Sequence, residues 1–269
     1  KLTESRRPVG IFADKSADVL CAMFGTVYAG CFYSIINPQL PETRIESIYT
    51  ILRPGVIITC DSELEHAKAM FPDSVITTPG ELMSCGADSC VLGGIRDKTC
   101  DTDPLYLNFT SGSTGTPKGI AVSHRSVIDF IDCFCPLFGI DENDTVANQA
   151  PFDFDVSVKD IYSCLKTGAT LDIIERELFS APKDLTDRLC GDSVTVMIWA
   201  VSALCLISTF HCLDYKTPAS VRKILFSGEV MPYKHLKSWM EHLPEAMFVN
   251  LYGPTEITCN CTYHILDRS

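Results

Sequence analysis

Hydroxyl side chains, glycines and a single lysine crowd residues 110–119, which read Thr110, Ser111, Gly112, Ser113, Thr114, Gly115, Thr116, Pro117, Lys118 and Gly119. Glycines let successive backbone N–H groups turn toward one centre, hydroxyls add donors, and an ammonium adds a point charge; together these cradle phosphate oxygens. A mobile linker shares this composition, but a linker does not sit flush against a predicted strand and end in Pro-Lys-Gly. A Walker A loop does not fit either. Counting from Gly112, the required Gly-Lys-Ser/Thr falls on Pro117-Lys118-Gly119. A second cluster, Asn250-Leu251-Tyr252-Gly253-Pro254-Thr255-Glu256, offers an aromatic ring, a hydroxyl and a carboxylate, and by itself also reads as a turn after a buried strand. A third, Phe152-Asp153-Phe154-Asp155-Val156-Ser157, sets Asp155 ahead of a helical stretch. That carboxylate either caps the helix or meets a cation in an apolar pocket. Cys259-Asn260-Cys261 followed by His264 comes nearest to a metal pattern, yet two cysteines at i, i+2 lack the turn of zinc knuckles, and alternating strand faces explain them better.

These clusters need a scaffold, and hydrophobic periodicity supplies one. Residues 8–13, 32–36 and 56–59 read as buried strands, with helices over 16–29, capped by Ser16, and over 42–51, stopped at Arg53-Pro54. Further strands are predicted at 105–110, 145–149, 170–174, 194–199, 222–226 and 247–251, with helices at 126–134, 158–166, 201–210 and 232–242 between them. The alternation specifies an α/β fold of layered, mostly parallel sheets flanked by helices, joined by right-handed crossovers. Residues 79–103, rich in Gly, Ser, Cys and Asp, read as a loop-rich passage between a first βα layer, about 1–100, and a second, 101–269, that carries the chemistry.

Composition bounds the partners. With 269 residues, 46% apolar and 21% charged, and a mean hydropathy of +0.15, the chain buries a sizeable core and is not disordered. A net charge of −12 opposes sequence-independent binding to nucleic acid or an anionic membrane surface, so neither is an expected partner. Fourteen cysteines without a CxxC pair fit a reduced, cytoplasmic protein. No export or anchoring segment is visible. The absence of an initiator Met suggests a piece of a longer chain.

Residues 110–119 resemble the phosphate-binding signature of the adenylate-forming superfamily, which holds acyl-CoA ligases, luciferase-like enzymes and the amino-acid adenylation domains of nonribosomal peptide synthetases. Residues 250–256 are similar to its second nucleotide signature, and Phe152 to Ser157 resembles the Phe-Asp-x-Ser motif of its amino-acid-activating branch. Asn148-Gln149-Ala150-Pro151-Phe152 and Gly228-Glu229-Val230-Met231-Pro232 are similar to D-alanine carrier-protein ligases. The resemblance implies the large N-terminal domain of such an enzyme. It further implies amino-acid activation with ATP and Mg²⁺, and a carrier-protein phosphopantetheine thiol as acceptor.

Carried over residue by residue, Thr110, Ser111, Gly112, Ser113, Thr114, Gly115 and Lys118 would hold ATP phosphates. Asn250, Tyr252 and Gly253 would take the adenine side with Gly228 and Glu229, Thr255 would bond the α-phosphate, and Glu256 would hold Mg²⁺. Lys118, Thr255 and Glu256 would be the catalytic groups. Asp155 would bind the α-ammonium of a small amino acid, with Val156, Lys159, Ile198, Leu225, Ser227, Leu251, Cys259 and Asn260 lining the side-chain pocket. Lys159 departs from the aromatic expected there; it binds a side-chain carboxylate or snorkels out. The phosphate loop and Thr255 are expected in one cleft at the carboxyl ends of parallel strands. Thirteen residues follow Glu256, short of the family's ribose-binding aspartate, hinge and lysine-bearing C-terminal lid, which leads to an expectation of nucleotide binding with poor turnover. The alternatives are an acyl- or aryl-CoA ligase, which Asp155 argues against, and a non-catalytic nucleotide-binding homologue or fragment.

Overall fold

In the computed structural model, which describes residues 3–111 and 117–267, the chain divides into two compact units, Lys1–Val127 and Ile128–Ser269. The first unit runs β1 (Pro8–Phe12), α1 (Ala17–Tyr28), β2 (Phe32–Ile36), α2 (Glu42–Leu52), β3 (Val56–Thr59), α3 (Leu64–Met70), β4 (Val75–Thr77), α4 (Pro79–Ser84), α5 (Ser89–Arg96), β5 (Pro104–Ser111) and β6 (Pro117–Ser123). Local chemistry sets many of these ends. Ser16 accepts a hydrogen bond from the Val19 N–H and starts α1. Arg53, at φ 47°, turns the chain out of α2 just before Pro54. The sheet order is β4-β3-β1-β2-β5-β6, parallel except for the last pair. Phe12, Ile36, Ile45, Ile57 and Phe71 are packed together beneath it.

Two departures from the sequence reading lie in this unit. Residues 79–103 form two short helices and not a bare linker: Thr78 and Glu81 make a reciprocal capping box on α4, and the Asp88 carboxylate accepts from the Cys90 and Val91 N–H groups to start α5. Glycine and serine content masks both helices, whereas the cap residues announce them. Residues 117–123 form a strand paired antiparallel to β5, so β5 and β6 complete the first sheet and the division falls at Val127.

The second unit contains most of α6 (His124–Phe138), then β7 (Thr145–Asn148), α7 (Val156–Thr167), β8 (Thr170–Ile173), α8 (Pro182–Gly191), β9 (Val196–Ala200), α9 (Val201–Thr209), α10 (Cys212–Tyr215), β10 (Lys223–Ser227), α11 (Tyr233–His242), β11 (Met247–Tyr252) and β12 (Thr262–Ile265). Its sheet order is β12-β11-β10-β9-β7-β8, with only β12 antiparallel. Met197, Trp199, Ile224, Phe226 and Phe248 enter a core with α8, α9 and α11, where Trp199 Nε1 donates to the Ala147 carbonyl. Strand alternation therefore turns Ile198, Leu225, Ser227, Val249 and Leu251 to the opposite face. Helix α7 packs on β7, β8 and β9 and contributes nothing to that core. Among the described residues no helix is long and apolar enough to cross a membrane.

The amino ends of β7, β9 and β10 are tied by a buried ion pair. Asp144 Oδ2 accepts from Lys223 Nζ at 2.6 Å and Oδ1 from Thr195 Oγ1 at 2.7 Å. Burial raises the Asp144 pKa, but the hydrogen bonds from Lys223, Thr195 and the Asp141 backbone outweigh it and hold the carboxyl below its ordinary value. Asp144→Ala strands the Lys223 ammonium and is expected to cost about 3 kcal/mol in urea unfolding at pH 7. Because the folded pKa is depressed, this stabilisation is present above the unfolded carboxyl value and lost as pH falls through the folded one. The difference between wild type and variant should therefore shrink in acid.

Candidate functional site

The expected motifs of the second unit gather beyond the carboxyl ends of β7, β10 and β11. Asp155 occupies the N-cap position of α7, yet its side chain accepts no helix N–H, so the capping role is not taken. Backbone needs nearby are met by other groups: Ser157 Oγ donates to the Phe154 carbonyl at 2.7 Å. The Asp155 carboxylate is half-buried and is left for other chemistry.

Opposite α7 lies the turn that follows β11. An added Cβ on Gly253 would stand 2.5 Å from Asn260 Cα and 2.5 Å from the Cys259 carbonyl oxygen, so only glycine fits there. The turn closes through Cys261 N–H to the Tyr252 carbonyl at 2.9 Å, and Thr258 and Cys259 adopt left-handed backbone at φ 65° and 68°. Two successive non-glycine residues in that region cost about 1–3 kcal/mol each and persist where the surroundings over-determine them. The surroundings here are two bonds to α7. Cys259 Sγ donates to the Asp155 carbonyl at 3.1 Å, and Lys159 Nζ donates to Asn260 Oδ1 at 2.6 Å. Burial pushes the Cys259 thiol up to about 12, so it stays a neutral donor at physiological pH.

Lys159 does not snorkel. It is 1% exposed, and burial lowers its pKa against the opposing pull of Cys259, Asp160 and Asp155. Asp160, which sequence reasoning passed over, is fully buried beside it and accepts from Asn148 Nδ2 at 2.7 Å. Ile198, Leu225, Ser227 and Leu251 are buried on the sheet face turned away from the α8–α11 core, and Val156 is half-buried at the start of α7. A cavity of about 200 Å³ borders Leu251 and Asn260, with Phe134, Phe138 and Tyr263 as its far wall. Its aromatic wall went unread in the sequence, although Phe130, Phe134 and Phe138 at i, i+4 spacing carried the signal.

Gly228, at φ 98°, and Glu229 are exposed just past β10, while Tyr252 is 69% exposed at the end of the neighbouring β11 and Asn250 is exposed two residues before it. Register places these two strand ends side by side. Thr255 and Glu256 lie in the single 3₁₀ turn Thr255–Ile257, Glu256 toward solvent. Among the described residues no group of three or more His, Cys, Asp or Glu could hold a metal ion. Cys259 is buried and Cys261 exposed.

The phosphate-loop candidates belong to the first unit. Thr110 pairs with Lys118, and Ser111 with Pro117, across the antiparallel β5–β6 pair. Residues 110–111 and 117–118 thus belong to two paired antiparallel strands, where the sequence reading has only one strand before the loop. Arg44 Nη2 donates to the Thr110 carbonyl at 3.2 Å, and Lys118 is exposed. Gly112, Ser113, Thr114 and Gly115 lie outside the described residues.

A family model described as AMP-binding enzyme matches residues 3–269. The D-alanine–D-alanyl carrier protein ligase of Staphylococcus haemolyticus is 30% identical over 263 residues, which cover 97% of this chain and 52% of that protein. Its Staphylococcus aureus counterpart is 30% identical over 274 residues, 100% of this chain and 55% of that protein. The chain thus spans about half the length of these curated relatives. Among solved structures, the nonribosomal peptide synthetase FmoA3 bound to alpha-methyl-L-serine-AMP superposes with a TM-score of 0.84 at 21% identity, over 99% of this chain and 29% of that one. VinN in complex with L-aspartate gives 0.82 at 18% identity, over 95% of this chain and 65% of that one. These two likenesses show a shared fold.

Proposed function

Because the chain belongs to the AMP-binding enzyme family, we propose that the full protein uses ATP to activate a small amino acid and loads it onto a carrier-protein thiol in the cytoplasm. In that reaction an oxygen of the amino-acid carboxylate bonds to the α-phosphorus as the bond to pyrophosphate breaks. The carrier thiol then attacks the acyl carbon and AMP leaves. The observation that carries the reading is Asp155, a half-buried carboxylate that heads a helix without capping it. An α-ammonium satisfies such a group; a fatty or aryl acid does not. The named relatives, carrier-protein ligases for D-alanine, support the same chemistry.

The residues suit the nucleotide. The exposed Tyr252 ring and the left-handed Gly228 on adjacent strand ends offer a stacking face beside accessible backbone groups for adenine. Thr110 and Lys118 supply donors and charge for phosphates, and Thr255 donates to the α-phosphate. Glu256 suits Mg²⁺, a hard cation that completes its shell with phosphate oxygens and water and so needs no protein cage.

Pyrophosphate exchange by the full-length protein, scanned across amino acids, tests the proposal: exchange should depend on a small amino acid. Exchange with acyl or aryl acids in its place, or with nothing, overturns it.

A further inference from the structure

Among the described residues the fully buried Lys159 Nζ has one hydrogen-bond partner, and that partner is neutral. An ammonium carries three N–H donors; one reaches Asn260 Oδ1 at 2.6 Å, and among the described residues no salt bridge reaches Nζ. Asn260 orients the ammonium without neutralising it. Asp155 and Asp160 attract it from beyond ion-pair range, so neither gives it an acceptor. The stem cannot carry the charge to water, because the side chain is 1% exposed. A buried, unpaired ammonium is costly, and its attraction for an anion is correspondingly strong.

Resting on the reading of Asp155 as the α-ammonium ligand, we infer that the activated amino acid carries a side-chain carboxylate that docks on Lys159 Nζ. Asp155 has helical backbone angles, so residues i and i+4 lie on one face of α7 about 6 Å apart along its axis. An anion site and a cation site one turn apart match the ammonium and distal carboxylate of an amino acid of four or five carbons. Alanine, with a methyl group, would leave Lys159 unmatched. The Gly253 turn holds Asn260 in place and so presets the direction of the two remaining Nζ donors.

The test is exchange by the full-length protein with aspartate, glutamate, asparagine, alanine and serine, each in both enantiomers. An acidic amino acid should exceed its amide by at least about 100-fold in kcat/KM, because the neutral amide leaves the buried ammonium without a counter-charge. Lys159→Gln retains a donor for Asn260 and removes the charge; it should erase that preference while the KM for ATP is unchanged. Alanine or serine exchanging as well as the acids overturns the inference and leaves amino-acid activation standing. Should no amino acid support exchange, the activation reading falls, and calorimetric titration of the same protein with aspartate and asparagine decides. Tighter aspartate binding that Lys159→Gln abolishes sustains the inference; equal or absent binding ends it.

Discussion

Asp155→Ala in the full-length protein is expected to reduce amino-acid-dependent pyrophosphate exchange by two to nearly four orders of magnitude while ATP binding stays near that of wild type. Removing one member of a desolvated charge pair strands the other, a loss of about 3–5 kcal/mol. Had Asp155 been a helix cap, the substitution would instead cost about 1 kcal/mol of stability with substrate dependence intact. The structure separates these outcomes in advance: the side chain makes no capping bond to α7, so thermal unfolding of the variant should move little. Calorimetry with ATP, a thermal melt and an exchange assay on one preparation read all three quantities. A folded Asp155→Ala protein with undiminished exchange would remove the basis for an amino-acid substrate and turn attention to acyl or aryl acids.

Gly253→Ala is the second substitution with a large expected effect, and it acts through the turn without touching a charged group. The new methyl would lie 2.5 Å from two backbone atoms, Asn260 Cα and the Cys259 oxygen, and 2.9 Å from Cys261 N. Backbone cannot rotate away as a flexible side-chain tip does, so the turn must open. Opening it withdraws Asn260 from Lys159 and Cys259 from Asp155, the two bonds that fasten the turn to α7. Stability should fall by about 1–3 kcal/mol, as for an overpacked site, and the KM for the amino acid should rise at least about tenfold as the pocket loses its shape. Gly55→Ala is the control, since its added methyl meets nothing within 4 Å. If both variants give the same urea midpoint and the same KM, the tight turn does not organise the pocket.

Several features were legible in the residues alone because they are written in local periodicity. A continuous β-branched run such as Val56–Thr59 has few conformations other than a strand buried on both faces. Ser16 marks a helix start by offering an oxygen to N–H groups that have no other partner. The motifs at residues 110–119, 152–157 and 250–256 carried the resemblance to the family, and the glycines and donors of 110–119 suit a phosphate on their own chemistry.

Tertiary structure decided the rest, because burial of a polar group depends on partners far along the chain. Residues 117–123 carry Pro, Lys and Gly ahead of a short alternation, and pairing with β5 makes them a strand. Asp155 heads a helix as a capping residue would, and only the folded structure shows the cap unmade. The sequence left Lys159 either in the pocket against a side-chain carboxylate or snorkelling out of it. Its desolvation comes from packing between α7 and a turn whose Asn260 is 101 residues away, a distance at which sequence periodicity carries no information.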